Sequence, residues 1–303
     1  MRRLSLVLIL LVAAACVPPP TEETGLTYTG LGLEQLDAYQ ATFEVRFEGD
    51  YAWEYQLETH WDGTAMAYDL HLEGVDPARN PGDVRVVIEG DTVRMRGPGT
   101  GDTCVQFPVD LGLAPSFFSP DDLIAPDAFP DPLTLAGTRD VAGVETTRYT
   151  SGVTRSGDWS ELEVDVWWDD GLDVALRYDV EATGPDPLFD AGEGELSGQF
   201  LIETLDPPGV EPVEGCEIDL PLPADATYIV RLSGFVAFES DALPDEVVSF
   251  YRTALAEAGW QLTAGPEQGD GVIQAAFARN EQDLTLTVEA SGEGSHVELL
   301  FDE

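Results

Sequence analysis

The sequence predicts a mainly β fold: a strongly curved antiparallel half-barrel with a short helical lid, followed by a small α+β domain. Three observations lead to this fold class. Apolar and polar residues alternate in about ten segments between residues 41 and 207, as in sheets with one solvated face. A proline-rich stretch interrupts the alternation. A helical apolar pattern follows near the C-terminus.

The alternating segments are separated by turn residues, and each segment predicts one strand. The expected strands are Thr42–Glu48, Trp53–Trp61, Met66–Leu72, Val84–Glu89, Thr92–Arg96, Leu135–Arg139, Thr146–Thr150, Glu161–Trp168, Asp173–Thr183 and Glu195–Leu205. Gly90-Asp91 predicts a tight hairpin between two of them. So many consecutive antiparallel strands favour one large curved sheet or an open barrel.

The stretch from residue 107 to residue 132 is proline-rich and breaks the alternation. Ser119 followed by Pro120 predicts the start of a short helix, with the serine as N-cap. The apolar side chains that we expect to form a lid are Phe117, Phe118, Leu123 and Ile124. The lid either completes the core of the sheet or is a movable cover over an apolar cavity.

Alternation also predicts which side chains share the concave face of the sheet. They are Phe43, Val45, Phe47, Trp53, Tyr55, Leu57, Leu70, Val86 and Ile88. These residues either pack against the lid as an ordinary core or line a cavity for an apolar ligand. Unfilled volume inside the sheet distinguishes the two.

Residues 206–212 have the proline-rich composition of a linker. Beyond them, a helix is predicted from Pro244 to about Ala258, because apolar residues recur at helical spacing and Gly259 follows. Two strands within residues 226–239 precede this helix. The strands expected after it are residues 260–263, 272–279, 284–290 and, as an edge strand, 296–301. One helix on an antiparallel sheet makes a small α+β domain.

The N-terminus has the organisation of a lipoprotein signal peptide. Met1-Arg2-Arg3 is basic, and the apolar run of residues 4–12 is too short to span a bilayer, which takes about 20 residues. Ala13-Ala14-Ala15 then precede Cys16. We expect cleavage there and modification of Cys16 by diacylglyceryl and a further acyl chain such as palmitate. The alternative is an ordinary secretory signal with an incidental cysteine. Residues 17–24 form a proline-rich, extended tether.

The two other cysteines are Cys104 and Cys216. An even pair in an oxidising compartment predicts a disulfide between them, with two free buried thiols as the alternative. Neither cysteine has a second metal ligand at short spacing, so we expect no metal site.

The chain is strongly acidic, with 58 Asp and Glu residues, 14 basic residues and a net charge of -44. All the basic residues are arginines, and loss of Arg2 and Arg3 with the signal peptide lowers the net charge to -46. This charge excludes nucleic acid as a partner, since phosphate binding needs clustered Lys and Arg. It also disfavours unassisted docking to anionic headgroups. The acidity is explained by solubility in the envelope, whereas loose cation binding has no ordered motif behind it.

The sequence contains none of the common hydrolase, zinc-protease or nucleotide-binding motifs. His60 and His71 lie inside alternating strands, and His296 lies in the other predicted domain. We interpret all three as ordinary strand residues, and expect neither enzymatic activity nor a cofactor.

Three segments resemble the LolA/LppX/LprG-like envelope lipoproteins. Leu36 to Val45 is similar to their opening helix and first strand, Gly137 to Tyr149 to a hairpin that ends in tyrosine, and Val166 to Gly171 to a tryptophan-rich strand with an acidic turn. The resemblance implies a half-barrel around an apolar cavity, which relatives use to carry lipids or lipoproteins. The acidic surface and the C-terminal domain depart from that family.

We therefore expect a signal peptide at 1–15, a lipidated cysteine and tether at 16–30, a half-barrel at 31–212 and a small α+β domain at 213–303. The predicted function is that of a lipid-anchored envelope protein, facing outside the cytoplasm, that binds an apolar ligand such as a lipid. The alternative is a structural or interaction lipoprotein with a filled core that contacts an envelope protein.

Overall fold

The computed structural model describes residues 25–74, 82–98, 103–113, 115–124, 132–216, 220–269, 271–280, 282–292 and 294–302. The predicted signal peptide, Cys16 and the tether through residue 24 lie outside the described residues. Within them the protein is mostly antiparallel β-structure with few helices, which confirms the predicted fold class. No helix of the described ranges is long and apolar enough to cross a membrane.

Besides 3-10 turns at Leu33–Gln35 and Val109–Leu111, the N-terminal region supplies thirteen strands and one short α-helix among the described residues. They are β1 (Gly25–Leu26), β2 (Tyr39–Glu48), β3 (Ala52–Trp61), β4 (Ala65–Glu73), β5 (Val84–Glu89), β6 (Thr92–Arg96), β7 (Val105–Pro108), α1 (Pro120–Leu123), β8 (Leu133–Val141), β9 (Val144–Thr150), β10 (Thr154–Ser156), β11 (Trp159–Asp169), β12 (Val174–Pro185) and β13 (Glu193–Thr204). Neighbouring strands are hydrogen-bonded in the order β1-β8-β9-β11-β12-β13-β2-β3-β4-β5-β6-β7, and β10 also pairs with β11.

Burial along β2 shows why this sequence forms a two-faced sheet. Every second residue from Tyr39 to Phe47 is buried, and the residues between them are more exposed. Side chains in a strand point alternately to opposite faces. The apolar face of β2 therefore lies against the core, and its polar face points outward.

The C-terminal region has six strands and one longer helix in its described part. They are β14 (Thr227–Leu232), β15 (Phe235–Ser240), α2 (Pro244–Glu257), β16 (Gln261–Gly269), β17 (Val272–Arg279), β18 (Gln282–Ser291) and β19 (Gly294–Asp302). The strands are ordered β14-β15-β19-β18-β17-β16, and β14 also pairs with β7, so both regions belong to one continuous sheet. Val247, Val248, Tyr251 and Leu255 form the buried face of α2 and share a core cluster with β15, β17, β18 and β19.

The expectation that residues 296–301 form an edge strand is wrong. Strand β19 pairs with β18 on one side and with β15 on the other. The edge on that side of the sheet is β16, which is largely exposed. Pro266 in β16 lacks a backbone N–H, and proline in a sheet is tolerated chiefly on edge strands.

Residues 207–216, which we call the strap, lie on the outer face of the first sheet. The carbonyl of Pro208 lies 2.7 Å from His60 Nε2. Val210 donates its N–H to Asp62 at 2.8 Å, and Arg85 donates to the carbonyl of Glu211 at 2.8 Å. The segment with linker composition is therefore bound to the half-barrel.

The strap also buries apolar groups and ends at a covalent bond. Val213 is packed in a small cluster with Ala67 and Val87, from β4 and β5, and with Cys104. The predicted disulfide between Cys104 and Cys216 is present, with 5.0 Å between the two Cα atoms. It ties the end of the strap to the residue that precedes β7. The domain boundary predicted after residue 212 falls inside the strap.

Candidate functional site

The concave face of the first sheet is the first candidate site. Seven of the nine predicted concave residues are buried in one core cluster, namely Phe43, Val45, Phe47, Trp53, Tyr55, Leu57 and Leu70. Val86 is buried and Ile88 half-buried in an adjoining cluster with Val93 and Phe107. Both clusters lie on the same side, because β4 and β5 are paired in register and their side chains alternate.

The segment Phe117–Ile124, which we call the plug, covers this face. Helix α1 begins at Pro120 with Ser119 before it, as predicted. Asp122 fixes the turn, because its carboxylate accepts hydrogen bonds from the N–H and the hydroxyl of Ser119, each at 2.7 Å. Ile124 has no exposed surface and Leu123 almost none.

The plug packs against aromatic rings of the sheet. Phe118 lies between Phe43 and Tyr55, with ring centroids 5.8 Å and 6.0 Å away. Phe117 lies 5.1 Å from the ring of Tyr68. Leu123 reaches β13, where a Cβ on Gly198 would lie only 2.7 Å from its Cδ2 atom. A side chain at position 198 would therefore require Leu123 to shift where the plug meets the sheet.

Polar groups of the plug are paired with groups of the first region. Tyr55 donates its hydroxyl to the carbonyl of Phe118 at 2.9 Å, and Tyr178 donates to the carbonyl of Pro120 at 3.1 Å. Asp121 accepts the N–H of Leu31 at 3.2 Å. Buried tyrosine hydroxyls usually need a partner. The plug supplies two such partners.

Burial shapes the electrostatics of this region. It raises the pKa of Asp121, and the nearby Asp122 and Glu34 add to the rise, whereas bonds from Leu31 and Tyr28 oppose it. Burial also raises the pKa of Tyr55 and that of Tyr178. Both hydroxyls thus remain protonated donors at neutral pH, so the two bonds to the plug persist.

The concave side is therefore occupied by side chains of the protein itself. Two of the clefts formed by described residues lie away from it. One, of about 420 Å³, is on the outer face of the first sheet and is lined by Glu58, Asp69, His71 and Arg85. The other, of about 520 Å³, is lined by residues of β14, β15, β17 and β19 together with Thr103 and Cys104. That the concave residues line a cavity for an apolar ligand stays a prediction.

The three histidines lie in β3, β4 and β19. His71 lies 2.5 Å from an oxygen of Asp83 and 3.0 Å from one of Glu73, and its bond to Asp83 chiefly raises its pKa. Burial lowers the pKa of His296, but its contacts with Glu239 and Glu298 outweigh burial and raise it. No group of three His, Cys, Asp or Glu residues within the described ranges has the arrangement of a metal site.

The sequence patterns did not predict that the strap binds to the outer face of the sheet. Two features of the sequence could have indicated it. Ala65, Ala67 and Val87 are apolar residues on what alternation makes the outer face, and the proline-rich segment contains Val210 and Val213. A small apolar patch outside a sheet indicates a covering segment, and the cysteine pair indicates where that segment is attached.

The comparisons with known proteins give a match to a family model and a match to a solved structure. A START domain-like family matches residues 227–294, from β14 to the first residue of β19. A crystal structure of a DUF1329 family protein from Desulfovibrio piger is 12% identical, with a TM-score of 0.21, and the match covers 55% of this chain and 86% of that one. No curated protein matches. The LolA/LppX/LprG-like resemblance is not confirmed.

Proposed function

We propose that this protein is a non-enzymatic, membrane-anchored lipoprotein of the bacterial envelope that binds an apolar ligand, such as a lipid acyl chain, in its half-barrel. The supporting observation is the plug: a short segment that covers an apolar sheet face and is bound there by hydrogen bonds from Leu31, Tyr55 and Tyr178, among others, and by a few apolar side chains. Ligand binding then consists of exchanging the plug for the ligand.

The energies of such an exchange are comparable. Burial of Leu123 and Ile124 and partial burial of Phe117 and Phe118 contribute at most about 6 to 12 kcal/mol in favour of the closed state. An acyl chain of about fourteen methylenes gains about 11 kcal/mol when it leaves water. A ligand of this size can therefore displace the plug without a large net cost.

The proposed anchor is the lipidated Cys16, which would hold the protein at a membrane and outside the cytoplasm. Two acyl signals suffice for stable anchoring. The disulfide supports an oxidising location, because such bonds are rare in the cytosol. The strongly acidic chain is unsuited to nucleic acid or to direct contact with anionic headgroups.

A second candidate function is that of an interaction protein with a permanently filled core. The near-complete burial of Leu123 and Ile124 favours it. In that case, the plug is part of the core, and an envelope protein binds the outer surface or the C-terminal region.

The test compares native masses of the soluble form, residues 18–303, purified gently from a bacterial periplasm. The double variant Tyr55→Phe/Tyr178→Phe removes two hydrogen bonds to the plug and adds no bulk. If the plug is exchangeable, the variant acquires more bound lipid than the wild type, because the closed state competes less well. The matched control is Tyr228→Phe, at an exposed tyrosine.

A lipid adduct that increases in the double variant and not in the control supports ligand binding. Bare protein in all three samples, after incubation with phosphatidylglycerol vesicles, contradicts it and supports the interaction function. The thermal midpoint of each variant shows whether it is folded.

A further inference from the structure

One end of the concave face is less deeply buried than the part under the plug. Tyr39, Trp61 and Met66 are cross-strand partners on β2, β3 and β4, and such partners lie on the same face of a sheet. Tyr39 precedes Phe43 by four residues on β2, so this row belongs to the concave face. Trp61 and Met66 are only half-buried, whereas Phe43 and Leu57, further along the face, are almost fully buried.

This row lines a cleft of about 720 Å³, which we call the mouth. The 3-10 turn Leu33–Gln35, which leads into β2, contributes Leu33 to the lining, and Leu36 follows it. Leu33 and Trp61 also pack against the main core cluster. The volume is within the range of small-molecule sites. The mouth is therefore an apolar cleft that is continuous with the concave face.

The mouth adjoins the plug. Met66 and Tyr68 are two residues apart on β4, so their side chains point to the same face about 7 Å from each other. The ring of Tyr68 in turn contacts that of Phe117, the first residue of the plug, with 5.1 Å between centroids. An apolar chain that extends from the mouth along the concave face therefore meets the plug at Phe117.

The rim of the mouth is acidic. Its described lining includes the carboxylates of Glu34, Asp37 and Asp62 and contains no Arg, Lys or His. Glu34 and Asp37 are exposed. Asp62 stays ionised, because hydrogen bonds from the backbone of Val210 and Ala65 lower its pKa. Such a rim attracts a positively charged group and repels a negatively charged one.

From this geometry we infer that the mouth is the entrance of the half-barrel and binds an amphiphile with an apolar chain and a positively charged polar end, such as an amine. The chain lies against Trp61 and Met66, and the amine lies near Glu34 and Asp37. The inference rests on the proposed function, because it assigns the ligand class and the point of entry of the same half-barrel. Binding at the mouth itself leaves the plug in place, since none of the described lining residues belongs to the plug.

The experiment compares decylammonium with decanoate, which have chains of the same length, by calorimetry on the full soluble form below their micelle concentrations. Decylammonium should bind about tenfold more tightly or better, because the rim attracts one polar end and repels the other. Equal affinities overturn the inference, as does the absence of decylammonium binding at about 1 mM. The lipid adduct of Tyr55→Phe/Tyr178→Phe tests plug exchange separately, so either proposal can fail without the other.

A pair of charge variants separates the rim from the acidity of the whole chain. Glu34→Gln/Asp37→Asn should weaken decylammonium binding about fivefold or more. The control Glu257→Gln/Asp283→Asn removes the same charge from exposed positions on α2 and β18 and should leave affinity within about twofold. Equal weakening in both shows that the overall charge attracts the ligand and overturns the inference.

A second pair of variants tests the apolar wall. Met66→Arg places a positive charge in the mouth and should abolish decylammonium binding. Leu300→Arg places the same charge at an exposed apolar position on β19 and should leave binding unchanged. The thermal midpoint of each variant shows whether it is folded. Equal affinities of the two folded variants contradict the inference.

Tryptophan fluorescence locates the chain while the acidic rim is intact. Decylammonium that carries bromine at its chain end should quench the emission of Trp61 on contact. The quenching should disappear in Trp61→Phe and persist in Trp159→Phe, because Trp159 begins β11 at the opposite end of the sheet. Quenching that persists in Trp61→Phe shows that the chain binds elsewhere and overturns the assignment.

Discussion

The N-terminal and C-terminal parts of the sheet bury their apolar faces in different ways. The C-terminal sheet is covered by α2, a regular helix of 14 residues with four buried side chains. The concave face of the first sheet is covered by the plug, whose only helix, α1, has four residues. A helix satisfies its own backbone groups, whereas an irregular segment needs partners for each of them. A cover of the second kind is easier to detach, which is why we place ligand exchange there.

The largest expected effect concerns the covalent link between the two regions. Cys104→Ser/Cys216→Ser should lower the free energy of unfolding by about 5 kcal/mol, because the bond closes a loop over a sequence separation of 112 residues. Urea unfolding of wild type and variant measures this difference. A loss below about 1 kcal/mol would show that the strap is fixed by its other contacts alone. Wild type in reducing buffer is the control and should behave like the variant.

The second-largest effect is the loss of stability when one buried side chain is truncated in each of the two covers, α2 and the plug. Leu255→Ala on α2 and Ile124→Ala at the end of the plug each truncate a fully buried side chain. We expect a loss of about 3 to 5 kcal/mol for Leu255→Ala and about 2 kcal/mol for Ile124→Ala, since a loose segment closes over a cavity more readily than a packed helix does. Chemical denaturation checks both. Equal losses would mean that the plug is as rigid as α2 and would favour the filled-core function.

The smallest effect is a pH dependence at the plug. Burial chiefly raises the pKa of Asp121, so the folded state takes up this proton more readily than the unfolded chain. The contribution of Asp121 to stability therefore increases as pH falls through its raised pKa and decreases as pH rises. Asp121→Asn keeps an oxygen for the N–H of Leu31 and removes the titration. The unfolding free energy of the wild type minus that of this variant should therefore increase as the pH is lowered from 7 into the acidic range. A constant difference contradicts the account.

Local patterns predicted the elements of the fold well. The bounds of β5, β6 and β17 are those expected, and α2 ends one residue before the expected Ala258. These elements follow from alternation and helical spacing, which depend on nearby residues. Strand order does not follow from such patterns. The alternation of residues 296–301 showed which side chains of β19 are buried and did not show that β15 pairs with it.

The candidate sites were predictable to different extents. The concave residues and the plug came from alternation and from the break in it. The concave side is filled because Phe118 packs against Phe43 and Tyr55 and Leu123 packs against Gly198. Alternation of apolar and polar residues does not predict such contacts between distant parts of the chain. The strap depends likewise on contacts between Val213 and residues far away in sequence, such as Ala67 and Val87.

The placement of the disulfide affects what a protease can release from this protein. Cys104 and Cys216 flank the plug, strands β8–β13 and nearly all of the strap. A single cut anywhere between the two cysteines leaves the N-terminal and C-terminal pieces joined by the sulfur bridge. If the chain is anchored at Cys16, as we propose, the C-terminal region stays attached to the membrane after one cleavage between the two cysteines. Its release requires a cut between Cys16 and Cys104, a cut beyond residue 216, or a cut between the two cysteines combined with a reductant.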